Sequence, residues 1–419
     1  YEITTRLVGS EMCIRDRERS GFYVQEYLAL PPRPERAPGT PAKPMEPEAP
    51  AGEAAPPSPP VRYDLSTRGV DPGLFPFRTW ARLQKELLYS SPELLTHGDA
   101  QGDLALRQAL AGYLEEYRGV RCGAHQIVVG AGLEYLLGLL APLLPGPAAV
   151  ENPGYPRAKQ VLENNGVACC CLPVDEDGLS IRALSDSGAA VCYVTPSHQF
   201  PTGVTMPAGR RAELLHWAAR CPGRRYIIED DYDSEFRFDA HPVPAMQSLD
   251  DGGRVIYMNS FSKSLAPSIR ISYMVLPGGL MTAFQQKLGF YSCTVPSFEQ
   301  YTLARFLSRG FFEKHINRMR KFYKNRRNAV VSLLDNCSFS HKLTIQEQDA
   351  GLHFLLKVDT SLSDQALTDK LATLGIRVRT LSSYYHDQSE DLHCLVINYS
   401  GLKEERLAAA LAAISQEWT

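Results

Sequence analysis

The chain has 419 residues, of which 44% are hydrophobic, and a formal net charge of −3 at pH 7. This length and apolar fraction allow one large two-lobed unit, or two to three smaller domains, with an ample core. The near-neutral charge excludes an overall basic surface, so the composition indicates neither a nucleic acid nor a membrane as partner.

Cysteine usage and hydropathy indicate a cytoplasmic protein without a metal site. Ten cysteines are scattered without metal-ligand spacing, which favours reduced thiols over a disulfide framework. No apolar run reaches membrane-spanning length, and no signal peptide is visible. We therefore expect a cytoplasmic location, no membrane contact and no bound metal.

The N-terminal part of the chain is predicted to lie outside any large core. The string LVGSEMCIRDR at 7–17 has no clear periodicity and is interpreted as foreign to the natural protein, while SGFYV at 20–24 predicts the last strand of a small hairpin. Residues 31–60 contain twelve prolines, a composition typical of a semi-extended tether. We therefore distinguish an N-terminal segment, 1–28, from a linker, 29–61.

From residue 62 onward, apolar strands alternate with helices. Helix patterns occur at 104–117 and 134–140. The strands of a large lobe, about 98–310, are predicted at 127–129, 148–151, 168–172, 191–194, 226–228, 255–258 and 271–276. This alternation is typical of βα units and predicts an α/β fold with a mainly parallel sheet.

The C-terminal part has a different pattern, which predicts a smaller α+β lobe over about 311–419. A long helix is expected first, at 312–334. Strands and further helices follow it, with strands at 351–358, 376–381 and 392–398 and helices at 363–374 and 403–415. The two lobes together are predicted to form one unit over 62–419.

One loop in the large lobe has the composition of a cofactor site. A β-rich run at 254–259 leads into Ser260, Ser262 and Lys263, and Arg270 follows seven positions after the lysine. A desolvated lysine can form a Schiff base with an aldehyde cofactor. The two serines and the arginine are suited to bind a phosphate by charge-assisted hydrogen bonds. An ordinary surface loop is the alternative interpretation.

An apolar run that ends in carboxylates, IIEDDYDSEF at 227–236, strengthens the cofactor interpretation. Asp230 is expected at the ligand-binding edge of the sheet, where a carboxylate can keep a pyridine nitrogen protonated. Tyr232, on the same side of an extended segment, can hydrogen-bond the phenolic oxygen of the ring. A strand, glycine turn and helix further upstream would offer the backbone of Gly132 and Leu133 to the phosphate.

Taken together, these motifs resemble the MocR family of the GntR superfamily. In these GabR-like regulators, a winged helix-turn-helix DNA-binding domain is joined by a linker to a pyridoxal-phosphate fold-type I unit that is similar to class I/II aminotransferases. The resemblance covers about residues 61–419 and is carried by SGFYV at 20–24, NPGYP at 152–156, YVTPSHQFPTGVT at 193–205, IEDDYDSEF at 228–236 and SFSKSLAP at 260–267. It implies pyridoxal 5'-phosphate as the cofactor and a homodimer as the assembly.

The resemblance also implies roles for individual residues. Lys263 corresponds to the lysine that forms the internal aldimine, Asp230 to the partner of the pyridine nitrogen and Tyr232 to the donor at the phenolic oxygen. Tyr155 corresponds to the aromatic residue that stacks on the ring, with core packing as the alternative. Arg157 matches a position that can bind a ligand carboxylate, with a surface arginine as the alternative.

The chain departs from the aminotransferase pattern at three places. Phe200 replaces the asparagine that touches the phenolic oxygen in ordinary aminotransferases. His97 replaces a tyrosine that reaches the phosphate in the partner subunit, and it is expected either to contact that phosphate or to lie in the dimer interface. The final strand lacks the arginine that binds the substrate carboxylate, and Arg377 and Arg379 are the candidates to replace it.

Two functions remain open on this basis. The first is the effector domain of a transcription regulator, which senses an amine or amino acid through an external aldimine. The second is an active aminotransferase that moves an amino group between an amino acid and a 2-oxo acid. Residues 1–28 are expected to hold only the last strand of the winged helix-turn-helix, so DNA binding is expected only through the missing N-terminal domain of the intact gene product.

Overall fold

The computed structural model of the chain describes residues 13–17, 21–25, 60–66, 69–90, 92–96, 98–221, 225–238, 243–346, 349, 351–387, 390–401 and 410. It divides into two compact units, Tyr1–Pro57 and Ser58–Thr419. In the first unit, strands β1 (Cys13–Arg17) and β2 (Gly21–Gln25) pair as an antiparallel hairpin. The boundaries at 28 and 61 stay predictions, since most of the linker lies outside the described residues.

The second unit begins with a two-residue strand, β3 (Tyr63–Asp64), and contains an eight-stranded sheet. Five neighbouring strands of this sheet run parallel, and the strand pairings outside this group of five are antiparallel. The strands are β4 (Ile127–Gly130), β5 (Ala148–Asn152), β6 (Cys169–Asp175), β7 (Gly178–Leu179), β8 (Val191–Val194), β9 (Tyr226–Asp230), β10 (Val255–Ser260) and β11 (Ser272–Val275). Their order is β4-β11-β10-β9-β8-β5-β6-β7, which confirms the prediction of a mainly parallel sheet.

Helices cover both faces of this sheet. The α-helices described in the second unit are α1 (Phe77–Ser90), α2 (Leu104–Arg118), α3 (Leu133–Leu140), α4 (Pro156–Asn164), α5 (Ile181–Asp186), α6 (Ala208–Ala219), α7 (Gly278–Leu288), α8 (Ser297–Ser308), α9 (Phe311–Asp335) and α10 (Asp364–Thr373). Neighbouring residues of β9 show why the strands are continuously apolar. Ile227 packs in one core with Trp217 of α6, while Ile228 packs in another with Leu136 of α3, because successive strand side chains point to opposite faces.

The C-terminal part forms a second, four-stranded antiparallel sheet in the order β12-β13-β16-β15. The remaining strands are β12 (Leu343–Gln346), β13 (His353–Val358), β14 (Ile376–Arg377), β15 (Arg379–Thr380) and β16 (Cys394–Asn398). Apolar residues of this sheet share one core with α2, α8 and α9. The predicted α+β lobe is therefore packed directly against the helices of the large sheet.

The single strand predicted at 376–381 is wrong, because two short strands occupy this segment. β14 pairs in parallel with β3, whereas β15 pairs antiparallel with β16. The buried Val378 separates them, so the chain moves from one sheet to another within two residues. The helix predicted at 403–415 lies outside the described residues except for residue 410. Within the described part of the chain, no helix is both long and apolar enough to cross a membrane.

Candidate active site

A cavity of about 490 Å³ opens where the parallel strands end. β9 ends at Asp230 and β10 at Ser260, and both residues line the cavity. This is the edge at which open α/β sheets bind ligands, because the loops after adjacent strands separate there. The predicted site residues in the cavity wall are Leu133, Tyr155, Arg157, Asp230, Tyr232, Ser260, Ser262, Lys263, Arg270 and Arg379.

Lys263 lies in the loop that follows β10, partly buried in the cavity wall. Burial lowers the pKa of this lysine to about 8, and the negative charge of Asp233 only partly opposes the shift. Burial disfavours the charged ammonium, since the protein interior solvates it less well than water does. Near neutral pH, Lys263 therefore offers more neutral amine than an ordinary lysine, as a nucleophilic lysine requires.

Asp230 is a buried carboxylate at the carboxyl end of β9. Burial raises its pKa to about 7, although a hydrogen bond from the Tyr193 hydroxyl of the neighbouring strand acts in the opposite direction. The charges of Asp231 and Asp233 add to the increase. A positively charged ring nitrogen in the cavity would favour the ionised form of Asp230. The position and chemistry of this carboxylate thus fit a pyridine ring.

Arg270 lines a corner of the cavity that suits a phosphate, and Gly132, which is not itself in the cavity wall, lies directly against its guanidinium. Gly132 has a φ of +111°, and a Cβ atom there would overlap the Arg270 guanidinium. Glycine is therefore the residue that this close approach requires. Helix α3 begins at the next residue, Leu133, without a side-chain cap. A cationic guanidinium, serine hydroxyls and the first backbone N–H groups of a helix are the donors that bind phosphate in proteins.

Glu134 is a cavity residue that the sequence did not predict. Its carboxylate accepts hydrogen bonds from Arg157 Nη1 at 2.8 Å, from the Tyr155 hydroxyl at 3.2 Å and from Arg270 Nη2 at 3.3 Å. Burial would raise the pKa of Glu134, but these donors lower it overall, led by Arg157. An acidic residue in the first turn of a helix is common for reasons of the helix dipole, so the sequence pattern provided no specific signal.

Aromatic side chains form one wall of the cavity. Phe200 lies edge-on to Tyr155, Tyr232 and Tyr384, with ring centroids 5.9, 5.9 and 5.1 Å away respectively. Phe200, the residue that departs from the aminotransferase asparagine, thus contributes an apolar surface and no hydrogen-bond donor. An apolar wall of this kind excludes water and holds the neighbouring rings in place.

Tyr232 is connected to two buried residues behind the cavity wall. Its hydroxyl lies 3.0 Å from His198 Nδ1, and the same nitrogen lies 2.9 Å from Asp233 Oδ2. His198 lies within the motif at 193–205, but the sequence predicted no role for this residue. A histidine and an aspartate separated by more than thirty residues do not form a recognisable local pattern, so only the fold brings them together.

The three candidate arginines and His97 have different positions. Arg379 lines the cavity with its guanidinium 5.7 Å from the centre of the Tyr384 ring. Arg377 is not in the cavity wall, because β14 pairs with β3 and directs this side chain to an exposed ion pair with Asp64 at 3.3 Å. Arg157 lines the cavity but is paired with Glu134. His97 lies outside the described residues.

Comparisons with known proteins agree with this geometry. Residues 70–414 match the family "Aminotransferase class I and II". The HTH-type transcriptional regulator YdeL of Bacillus subtilis is 37% identical over 85% of this chain and 76% of its own length. The probable rhizopine catabolism regulatory protein MocR of Rhizobium meliloti is 35% identical over 81% of this chain and 69% of its own length.

A solved structure shows the same fold. The crystal structure of an archaeal alanine:glyoxylate aminotransferase superimposes with a TM-score of 0.77, at 26% identity, over 85% of this chain and 90% of the archaeal one. The fold-type I architecture expected from the sequence is therefore confirmed. The roles of the individual cavity residues stay predictions.

Proposed function

We propose that residues 62–419 bind pyridoxal 5'-phosphate and sense an amine or amino acid, because this chain belongs to the aminotransferase class I and II family and to the MocR-type transcription regulators. The observation that carries the proposal is the cavity in which Lys263, Asp230 and an anion-binding corner meet. In the same proposal, 1–28 belongs to a winged helix-turn-helix and 29–61 is the linker.

The cavity residues have distinct roles in this proposal. When bound, pyridoxal 5'-phosphate supplies an aldehyde and an electron-withdrawing ring. Lys263 provides the amine that attaches it, and Asp230 keeps a proton at the ring nitrogen. The Tyr232 hydroxyl donates to the phenolic oxygen, and Arg270 with the start of α3 binds the phosphate. These assignments use each group for the chemistry that its charge and burial favour.

The ligand is proposed to be a small amine or amino acid that reaches Lys263 through the same cavity. Arg157 and Arg379 both line it, and either guanidinium can bind a carboxylate. Glu134 already neutralises Arg157, so a ligand carboxylate that binds there must compete with Glu134. Regulation would follow if the ligand favours one conformation of the dimer over another.

The assembly is proposed to be a homodimer in the cytoplasm, where a regulator meets DNA. Large apolar side chains are exposed in α1, between α1 and α2, at the first residue of α2 and after α7; they are Phe77, Leu88, Tyr89, Leu95, Leu104, Phe290 and Tyr291. We propose that such residues belong to the surface that binds the second copy of the chain, since exposed apolar patches mark protein–protein contacts.

Turnover as an aminotransferase is the second candidate function. The lowered pKa of Lys263 favours it, because an amine that titrates near the working pH can both accept and return a proton. A sensor that attaches its ligand to the cofactor needs the same groups, so the cavity is consistent with both functions.

A spectral titration distinguishes the two functions. The protein loaded with pyridoxal 5'-phosphate would be titrated with α-amino acids, ω-amino acids and polyamines, followed by an assay for oxo-acid product. We expect the visible absorbance band of the bound cofactor to shift and stay shifted without product. Lys263→Ala is the control and should show no such band. Conversion to the pyridoxamine form, reversed by an oxo acid, would establish an aminotransferase instead.

A further inference from the structure

The side chains of Asp233, His198 and Tyr232 form a hydrogen-bonded series that leads from the protein interior to the cavity. Asp233 Oδ2 lies 2.9 Å from His198 Nδ1, and the Tyr232 hydroxyl lies 3.0 Å from the same nitrogen. The side chains of His198 and Asp233 are each 2% exposed. Of the three, only Tyr232 lines the cavity. Bulk water therefore does not reach His198 and Asp233, and the protein alone determines the hydrogen-bond pattern of this series.

The arrangement determines which atom carries each proton. The Asp233 carboxylate only accepts hydrogen bonds, so the proton on the His198 ring lies at Nδ1 and points to Asp233. A nitrogen that carries this proton cannot accept another one from Tyr232. The hydroxyl hydrogen of Tyr232 therefore points away from His198, toward the cavity. Burial keeps the hydroxyl protonated, since it raises the pKa of Tyr232 well above its usual value.

The other ring nitrogen of His198 agrees with this proton placement. Nε2 is buried and has no hydrogen-bond partner among the described residues. With the proton at Nδ1, Nε2 is a bare acceptor, and no buried N–H group is left unpaired. The opposite tautomer would bury an N–H group without an acceptor, which native structures rarely do.

We propose that Asp233 and His198 are positioning residues, which orient the Tyr232 hydroxyl as a hydrogen-bond donor into the cavity, toward the phenolic oxygen of the cofactor. The identity of that acceptor rests on the proposed function. The direction of the hydroxyl is a property of the protein alone and can be tested without cofactor.

The residues around Tyr232 and His198 explain why the orientation of the Tyr232 hydroxyl matters. Phe200 offers no donor at the position where ordinary aminotransferases have an asparagine, so Tyr232 is left to serve the phenolic oxygen. Gly351, with a φ of +71°, closes over the pair, since a Cβ atom there would overlap both His198 and Asp233. This close approach holds the imidazole in a single orientation.

A metal ion is a less suitable occupant of the same cluster. His198, Asp233 and the buried His353 have their ligand atoms within 4.8 Å of one another. However, His353 Nε2 donates to the Pro201 carbonyl oxygen at 3.1 Å, and His198 Nδ1 is already engaged. Burial, His198 and Lys263 together lower the pKa of His353, so a further cation would join the nearby lysine. Metal binding is an outcome that the test below can detect.

The first experiment determines the tautomer of His198 in the cofactor-free protein. Protein labelled with ¹⁵N-histidine would be examined by long-range ¹H–¹⁵N correlation, and the His198 signals would be assigned by their loss in His198→Gln. We expect a protonated Nδ1 and a bare Nε2, and a change of this pattern in Asp233→Asn, whose amide can donate to the ring. A proton at Nε2 in the unsubstituted protein, or signals that shift with stoichiometric Zn²⁺, would overturn the proposal.

The second experiment measures how Asp233 and His198 affect the binding of a cofactor analogue at the cavity. Pyridoxine 5'-phosphate keeps the phenolic oxygen but lacks the aldehyde, so its affinity does not depend on attachment to Lys263. Asp233→Asn and His198→Gln should each weaken its binding about tenfold, the value of one good hydrogen bond. In the Tyr232→Phe background, the same substitutions should change the affinity by less than about twofold. Equal losses in both backgrounds would overturn the proposal.

The matched control is Asp250→Asn. Asp250 is a hydrogen-bonded aspartate near the opposite end of β10, where it accepts from the backbone of Gly252 and Val255. It should leave the affinity for pyridoxine 5'-phosphate unchanged. A failure of the proposed function would appear differently. His198 would show the expected proton at Nδ1, but the protein would not bind pyridoxine 5'-phosphate at all.

Discussion

At the scale of single residues, burial prepares the cavity groups for chemistry. Removal from water lowers the pKa of Lys263 to about 8 and raises that of Asp230 to about 7. Both shifts favour the neutral form of the group, as desolvation does. Arg270, in the same cavity wall, lies against Gly132. Its guanidinium stays positively charged, whereas Lys263 and Asp230 can each become neutral.

The lowered pKa of Lys263 predicts how its reaction with pyridoxal 5'-phosphate depends on pH. Only the neutral amine attacks an aldehyde, so the rate should rise with pH through about 8 and then level off. A lysine with an ordinary pKa would continue to gain until about pH 10.4. Stopped-flow absorbance across this range measures the rate. A midpoint near the ordinary value would show that the folded protein does not desolvate Lys263.

Gly132→Ala is expected to damage both the fold and the phosphate corner. The new Cβ would overlap Arg270, and a positive φ is strained for alanine, with a cost of about 1–3 kcal/mol. Urea unfolding and the affinity for pyridoxal 5'-phosphate measure the two effects. The control is Gly112→Ala in α2, where a Cβ meets no atom within 4 Å, and it should stabilise the protein by about 0.5–1 kcal/mol. Unchanged cofactor affinity in Gly132→Ala would contradict the proposal that Arg270, beside Gly132, binds the phosphate.

At the scale of elements, β9 shows how one strand serves both the core and the site. Its residues Ile227 and Ile228 pack on opposite faces of the sheet. At its carboxyl end, Glu229 accepts from the backbone of Met246 at 2.7 Å, while Asp231 pairs with Arg118 of α2 at 2.8 Å. Because successive side chains of an extended segment point to opposite sides, Glu229 and Asp231 lie on the side away from the cavity, and Asp230 alone of the three lines it.

The buried ion pair between Arg118 of α2 and Asp231, the residue after β9, predicts a large loss of stability in Arg118→Met. Asp231 and the Arg118 side chain are nearly inaccessible, and Arg118 lowers the pKa of Asp231 against the effect of burial. Without the arginine, the buried carboxylate would keep the hydrogen bond from the Tyr257 hydroxyl but lose its charge partner, at a cost of about 3–5 kcal/mol. The control Lys159→Met breaks the more exposed pair with Glu163 and should cost no more than about 0.5 kcal/mol. Similar losses in urea unfolding would contradict this assignment.

At the scale of the whole molecule, the exposed apolar side chains predict association. Leu88 and Tyr89 at the end of α1 are 67% and 82% exposed. A second copy of the chain that covers them would remove this unfavourable hydration. The proposed homodimer therefore has a physical cause in the surface of the chain.

Light scattering after gel filtration tests this association. We expect a mass of twice the 46.5 kDa of one chain, and a shift toward the single-chain mass in a variant that combines Leu88→Asp and Tyr89→Asp. The control is Leu249→Asp, an exposed apolar residue outside the proposed surface, which should leave the mass unchanged. A single-chain mass for the unsubstituted protein would contradict the homodimer.

The sequence by itself determined most strands of the large sheet and the groups nearest the proposed reaction. Strand signals depend on short apolar runs, and these are local properties of the chain. Lys263, Asp230 and Tyr232 could be placed because each stands at a fixed distance from the end of such a run. The carboxyl ends of parallel strands meet at one edge of a sheet, so their approach could also be expected.

Only the tertiary structure decided the contacts between residues distant in sequence. It placed Glu134 between Arg157 and Arg270, and it brought His198 to Asp233 behind Tyr232. It also divided the segment at 376–381 between two sheets, which removed Arg377 from the cavity while Arg379 stayed. Such contacts depend on how separate elements pack together, and the local periodicity of a sequence carries no information about that packing.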